Sequence, residues 1–136
     1  MPDTSALNSA SDVLAAGRQV QGGRIRTISE NLANADSAAT TPGGTPYARK
    51  IAVFAPVVAD SHRNPVGRIV RDTGDFRRRY DPSNVAADPR GYIRLPNVNA
   101  TTENADLQQV IRNYELSLNA STTLSTLTQA TINLIS

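Results

Sequence analysis

The sequence predicts an α+β protein in which long N- and C-terminal helices pack as an antiparallel coiled-coil pair, with a small β-rich segment between them. Three observations lead there. After Pro2, every proline falls between Pro42 and Pro96, so residues 3–41 and 97–136 are proline-free arms that can run as helix without a missing backbone donor. Five of the six aromatic residues, Tyr47, Phe54, Phe76, Tyr80 and Tyr92, share the central stretch, leaving Tyr114 alone in an arm. Apolar residues recur at steps of three and four in the arms and at steps of two in the centre, the helix and strand periods. The chain divides accordingly into an N-terminal helical arm (residues 1–36), a central β-hairpin-rich region (37–100) and a C-terminal helical arm (101–136), the two arms forming one coiled-coil domain.

In the first arm Leu7, Ala10, Leu14 and Gly17 mark one narrow stripe, which resumes after Gly22-Gly23 as Ile25, Ile28, Leu32 and Ala35. A glycine in a helix interior costs roughly 1 kcal/mol relative to alanine, so the pair predicts a bend or a frayed point. Asn34 to Ser37, followed by Thr40-Thr41-Pro42-Gly43-Gly44, supplies the stop.

The centre predicts three strands, Tyr47 to Val58, Val66 to Val70 and Gly91 to Leu95, each with β-branched or aromatic residues. Tyr80-Asp81-Pro82-Ser83-Asn84 and Ala87-Asp88-Pro89-Arg90-Gly91 are turn sequences, each joining a side chain that can bond its own backbone to a proline of fixed φ.

The second arm begins after Pro96-Asn97-Val98-Asn99, capped by Asn99 or Thr102, with Glu103 and Asp106 near the positive end of the helix dipole. Leu107, Ile111, Tyr114 and Leu118 form its stripe, continued with a phase shift by Ala120, Leu124, Leu127 and Leu134. The threonines at 122, 123, 126, 128 and 131 lower helix propensity, so this tail is expected to need a packing partner. Arms of about 33 residues each would reach roughly 50 Å. A centre of about 60 residues, of the size range where a lone core is marginal, cannot cover both, which leaves apolar faces for other molecules.

Composition excludes several kinds of chemistry. With no cysteine and one histidine, His62, the chain has no disulfide, no thiolate nucleophile and no multi-histidine or cysteine metal site. No apolar run is long enough for a transmembrane helix, and the first 20 residues lack the charged and apolar regions of a cleavable signal. No phosphate-binding glycine loop, HExxH or GxSxG is present. The aspartate pairs Asp72/Asp75 and Asp81/Asp88 fit turns and arginine pairing better than acid–base work. The reading is therefore a non-enzyme with no cofactor, no metal and no small-molecule substrate.

Charge is more informative. The net charge of +2 hides ten basic and six acidic groups over residues 36–100 and a C-terminal arm with one basic and three acidic ones. Arg77-Arg78-Arg79, with aromatics interleaved, reads in two ways. It could be a nucleic-acid-binding patch on a module with helical dimerisation arms, or an interface pairing arginine forks with carboxylates on a neighbour. Asp72, Asp75 and Asp81 dilute the first reading.

Asn31-Leu32-Ala33-Asn34 resembles the signature that closes the first helix of bacterial flagellar axial proteins. Pro46-Tyr47, Tyr80-Asp81-Pro82, Gly91-Tyr92 and Pro96-Asn97-Val98-Asn99 follow in the order of the FlgC family, the proximal rod subunits of the flagellar basal body. Thr45, the Gly22-Gly23 pair and the threonine-rich tail depart from that pattern. The resemblance implies a structural drive-shaft component of the rod, located in the basal body across the periplasm. It also implies export by the flagellar type III apparatus, for which no cleavable signal is needed. The implied partners are other copies of the chain, other rod subunits of the proximal rod, the adjoining distal rod or rod-base adaptor, and the export apparatus. Nucleic acid and membrane insertion are not expected.

On this basis Leu7, Leu14, Ile25, Ile28 and Leu32 are expected to face Leu107, Ile111, Tyr114, Leu118, Leu124 and Leu127 within and between subunits. Arg77, Arg78 and Arg79 are expected to meet acidic groups of a neighbour. Asn31 and Asn34 would bond either the departing backbone or an adjacent subunit. The arms are expected to be largely disordered in the free subunit and to fold on incorporation, where burial between subunits offsets the entropy of ordering.

Overall fold

The computed structural model describes residues 4–54 and 67–136. Two helices dominate it, α1 (Thr4–Ala33) and α2 (Ala100–Ile135), with four short strands between them: β1 (Lys50–Val53), β2 (Arg68–Arg71), β3 (Arg77–Tyr80) and β4 (Tyr92–Leu95). At 1.5 Å per residue the helices reach about 45 and 54 Å.

The helices pack antiparallel. Asn31, near the end of α1, meets Glu103, in the first turn of α2, whereas Leu14 and Arg18 of α1 meet Ser117 and Ser121 further along α2. On α2 the buried and half-buried positions are Glu103, Leu107, Val110, Tyr114, Ser117, Ser121, Leu124, Thr128 and Thr131, joined only by Asn113. Their steps alternate between four and three, the heptad spacing that keeps one seam against a partner helix. After buried Glu103 the seam is apolar through Leu107 and Val110, and beyond Tyr114 it becomes mostly small and polar toward the free end, with Leu124 the exception.

Asn99 caps α2, its side chain accepting from the Thr102 backbone N–H at 3.2 Å. The threonine-rich tail is continuous helix. The hydroxyls of Thr122, Thr126, Thr128 and Thr131 each donate to the carbonyl four residues back, so they are satisfied without competing for the ladder. Of the bend or fraying expected at Gly22-Gly23, fraying is not found, and α1 runs through both. A Cβ on Gly23 would stand 3.1 Å from Phe54 Cζ, whereas one on Gly22 would meet nothing within 4 Å. Gly23 is thus where the helix surface is shaved to admit a ring.

The strands form two separate antiparallel pairs, β1–β2 and β3–β4. Lys50 lies opposite Arg71 and Val53 opposite Arg68 in the first, and Arg77 opposite Leu95 and Tyr80 opposite Tyr92 in the second. The strand expected over Tyr47 to Val58 contracts to Lys50–Val53, because Tyr47, Ala48 and Arg49 spend their side chains and backbone on the helix junction described below; residues 55–58 lie outside the described residues. β2 starts at Arg68, and Val66 is likewise outside. The strand Arg77–Tyr80 is additional to the three expected. Its three consecutive arginines mask the alternation that marks a strand, since one points inward and is stabilised by carbonyls rather than by apolar contact.

Between β3 and β4 the chain turns through Asp81 to Gly91. The Asp81 N–H donates to the Gly91 carbonyl at 2.8 Å and the Asp88 N–H to that of Tyr92 at 2.9 Å. Gly91 has φ +85°, and a Cβ there would sit 2.8 Å from the Tyr80 ring, so glycine is required on both counts. β4 alternates cleanly: Ile93 and Leu95 are buried, Tyr92 and Arg94 exposed. Ile93 and Leu95 form a small core with Ala86, against which Ala38 and Ala87 pack.

Candidate assembly site and the junction that positions it

The centre is fixed to both helices by one buried polar network. Asn31 is 1% exposed. Its Nδ2 donates to the Lys50 carbonyl at 2.8 Å and to Glu103 Oε2 at 3.2 Å, and its Oδ1 accepts the Lys50 N–H and the Tyr47 hydroxyl, both at 2.8 Å. One amide therefore occupies the outward N–H and C=O of β1 at Lys50, as a neighbouring strand would, while also holding α2. An open sheet edge is closed by a helix side chain.

Glu103, also 1% exposed, is a carboxylate inside the helix seam. Burial without a partner would be costly; here Arg49 Nε donates to its other oxygen. Arg49 also reaches Asp72 at 3.3 Å, and its backbone N–H donates to Asn97 Oδ1 at 2.7 Å. Hydrogen bonding to Glu103, the largest influence, holds the Arg49 guanidinium above its ordinary pKa. Asn97 Nδ2 donates to the carbonyls of Asp72 and Gly74 at 3.3 and 3.1 Å, tying down the stretch between the two strand pairs. Burial, with the carboxylates of Glu30 and Glu103 adding to it, pushes the Tyr47 phenol up to about 12. Lys50 pairs with Glu30 on α1.

Of the residues carrying the family resemblance, Asn31, Pro46, Gly91, Pro96 and Val98 are buried, and Leu32, Asn34, Tyr47, Asp81 and Asn97 are half-buried. Asn34 makes the local contact, its Nδ2 donating to the Glu30 carbonyl at 2.9 Å. Asn31 instead makes the tertiary one, to β1 and α2 of its own chain. Asp81 accepts from Ser83 and Asn84 in its turn, and Pro82 lies beside Gly91, 3.1 Å from where a Cβ would stand there. Ala33, Tyr80, Tyr92 and Asn99 are exposed.

Arg77, Arg78 and Arg79 do not form one patch, because a strand sends successive side chains to opposite faces. Arg77 turns inward and donates to the carbonyls of Pro96 at 3.0 Å and Ala35 at 2.7 Å, which joins the hairpin to the exit of α1. Arg79 lies 3.9 Å from Asp81. Arg78 is on the outer face, over the Tyr92 ring and 3.2 Å from Asp88. The Asp88 carboxyl is held below its ordinary pKa by the Tyr92 backbone N–H first, then by that of Arg90 and by Arg78.

Along the helices, Leu7, Leu14, Ile25, Ile28 and Leu32 of α1 and Leu107, Tyr114 and Leu124 of α2 are half-buried, whereas Ile111, Leu118 and Leu127 are exposed. The expected α2 stripe thus divides among three faces: 107, 114 and 124 belong to the seam with α1, 127 lies on a second face, and 111 and 118 lie on a third. Leu116, Ala120, Thr123, Leu127, Ala130 and Leu134 form a second row with the same alternation of four and three, and its leucines are 60, 54 and 88% exposed.

Sequence reading missed Glu103, Arg49 and Asp72 as a unit. The signal for Glu103 was present, since continuing the seam back from Val110 and Leu107 by four places an acid at a core position. Among the described residues no group of three His, Cys, Asp or Glu side chains could hold a metal ion, and no helix is long and apolar enough to cross a membrane.

The chain is similar to curated proteins of one kind. It is 39% identical over 132 residues to the flagellar basal-body rod protein FlgC of Agrobacterium fabrum, covering 95% of each chain. Against the flagellar basal-body rod protein FlgC of Aquifex aeolicus it is 39% identical over 114 residues, 82% of this chain and 84% of the relative. Against that of Salmonella typhimurium it is 29% identical over 132 residues, 95% and 98%. No family model matches the chain.

Proposed function

Because the chain belongs to the FlgC family of flagellar basal-body rod proteins, we propose that it builds the proximal rod by packing its terminal helices against those of other copies and of adjoining rod subunits. It is a structural subunit of the basal-body rod, and that rod is where it resides. The finer reading is a non-catalytic part, delivered through the flagellar type III export apparatus, with arms 1–36 and 101–136 forming one helical unit and residues 37–100 carried outside it.

The observation that supports assembly through the helices is the second heptad row of α2. Leu116, Leu127 and Leu134 are exposed at coiled-coil spacing on a helix whose other seam is already occupied by α1. Burying a leucine side chain stabilises by about 1.5–3 kcal/mol, so three such residues offer a neighbour a substantial contact. Ala120 and Ala130, between them, allow close approach. The distal seam, with Ser117, Ser121, Thr128 and Thr131, offers little intramolecular burial, so these ends of the arms gain most of their order on incorporation.

Replacing Leu116, Leu127 and Leu134 together with serine tests this. The purified subunit is expected to keep its helical circular dichroism, because the row does not face α1, while incorporation into isolated basal bodies and motility are lost. Unchanged incorporation would refute assembly through this row.

A further inference from the structure

The outer face of the β3–β4 hairpin carries a row of side chains that neither the junction nor the helix seams use. Along it cations and rings alternate: the Arg94 guanidinium lies 4.9 Å from the Phe76 ring centroid, that of Arg78 lies 5.1 Å from Tyr92, and the Tyr92 and Tyr80 rings meet edge to face at 5.3 Å. Arg78 and Arg94 stand directly opposite each other in register, a like-charge pairing that weakens a hairpin taken alone. Arg78 is partly neutralised by Asp88. Among the described residues the Arg94 guanidinium contacts the Phe76 ring and has no hydrogen-bonded or ion-pair partner. Stacking holds its plane and leaves its donors free, the arrangement of a fork awaiting a carboxylate. Tyrosine and arginine are also the residue types that anchor protein interfaces.

A cavity of about 560 Å³ opens beside this row. Asp75 and Asp88 share its lining with Arg78 and Arg94. Two carboxylates at the rim disfavour a polyanion such as nucleic acid and suit a single carboxylate framed by apolar groups.

Such a group stands on α2. Ile111, Glu115 and Leu118 fall at i, i+4 and i+7, on a face separate from both heptad rows. Ile111 and Leu118 are exposed, and Glu115 is exposed with no partner among the described residues. The span of Ile111 to Leu118 is about 10 Å of helix; that of Phe76 to Tyr80 is about 13 Å of strand.

We propose that the outer hairpin face of one copy docks on the Ile111–Glu115–Leu118 stripe of α2 in the next copy, with the Glu115 carboxylate received between Arg78 and Arg94 and the two apolar side chains against the tyrosine and phenylalanine rings. This rests on the rod-assembly reading, which supplies the second copy. The excess of basic groups in the centre and of acidic groups in the C-terminal arm gives the contact its charge complementarity. The two surfaces differ, so the contact is heterologous and propagates from copy to copy, as a helical tube requires.

The natural chain has no cysteine, so engineered pairs report cleanly. A chain carrying Tyr92→Cys and Leu118→Cys, isolated in basal bodies and oxidised, is expected to run as disulfide-linked multimers of itself, and one carrying Tyr92→Cys and Leu134→Cys is not. Arg94→Glu and Glu115→Arg are each expected to lower incorporation at least tenfold, and the double variant to restore at least half of it; this second arm decides the matter if the cysteine chains fail to incorporate. Rods that contain the cysteine pair yet yield no self-linked product, or a product only with a different rod subunit, overturn the proposal, as does a double variant no better than the singles. Absence of the unmodified chain from basal bodies would instead strike at the rod reading itself.

Discussion

Replacing Asn31 with alanine removes an amide that makes four hydrogen bonds inside the junction: two to the backbone of Lys50, one to Tyr47 and one to the Glu103 carboxylate. Neutral bonds contribute about 1 kcal/mol each and one to a charged group about 1.5–3 kcal/mol. The variant also leaves a carboxylate that is 1% exposed with Arg49 as its remaining partner. Alanine's better helix propensity returns a few tenths of a kcal/mol. Bonds that share one side chain do not add fully, so the expected loss is about 3–5 kcal/mol rather than the full sum of about 4–6 kcal/mol, a large share of the 5–15 kcal/mol that holds a domain of this kind together. At a urea m-value of about 2 kcal/mol/M the midpoint falls by about 1.5–2.5 M, measured by circular dichroism on the purified subunit. Asn31→Asp, which keeps the shape but removes both donors and sets a second carboxylate against Glu103, is expected to lose at least as much at neutral pH. Asn34→Ala gives up its local bond to the Glu30 carbonyl and an exposed one from the Ser37 hydroxyl and is expected to cost about 1 kcal/mol. If Asn31→Ala moves the midpoint by less than about 0.5 M, or no more than Asn34→Ala, the junction does not hold the arms to the centre as described.

Further outcomes follow from other features. Gly22→Ala fills open space in a helix interior and is expected to stabilise by about 0.5–1 kcal/mol, seen as a Tm higher by a few degrees, whereas Gly23→Ala presses on the Phe54 ring and is expected to give no gain or a loss; equal gains from both would show that Phe54 does not pack there. Tyr47 has a folded pKa of about 12 against an ordinary value near 10, so folding favours its protonated form. That contribution is complete below about pH 10 and is lost as pH rises toward 12; urea titrations of Tyr47→Phe are expected to show a shallower decline across this window than the natural chain, and parallel declines would refute the assignment. In hydrogen exchange on the dilute subunit, amides near residues 27–33 and 103–114 are expected to be protected well above those at 121–135, and equal strong protection to the end of α2 would show that the arms are complete without neighbours.

The helices were legible because their period and their freedom from proline extend over 30 residues or more, and Asn99 offered a recognisable cap. Which face of α2 meets α1 was not. Ile111 and Leu118 lie next to the seam in sequence spacing, yet Ser117, Ser121 and Thr128 occupy it, because near the free end the paired helices want small residues more than apolar ones. β3 was hidden for a related reason: all four of its residues are exposed, and Arg77 is held by donating to carbonyls rather than by apolar contact, so no buried alternation marks the strand. The motif residues were readable as a set, but the action of Asn31 on β1 was not, since the contact joins positions 19 apart through a segment without regular structure. Glu103 read as a dipole partner because an acid in a first helical turn has that ready explanation; only the antiparallel pairing brings Asn31 and Arg49 to it.

The Asn31 clamp bears on mechanics. Residues 34–49 lead from α1 to β1 without helix or strand, and a covalent tether of that kind transmits twisting load poorly. In the proposed shaft under torque, a rotation applied to the helices would reach the central region through Asn31 on Lys50, Glu103 on Arg49 and Arg77 on Ala35. If the helices line the inside of the rod as proposed, a few polar contacts would set how stiffly the central region follows them, and softening any one would let the helices turn some way before the centre follows.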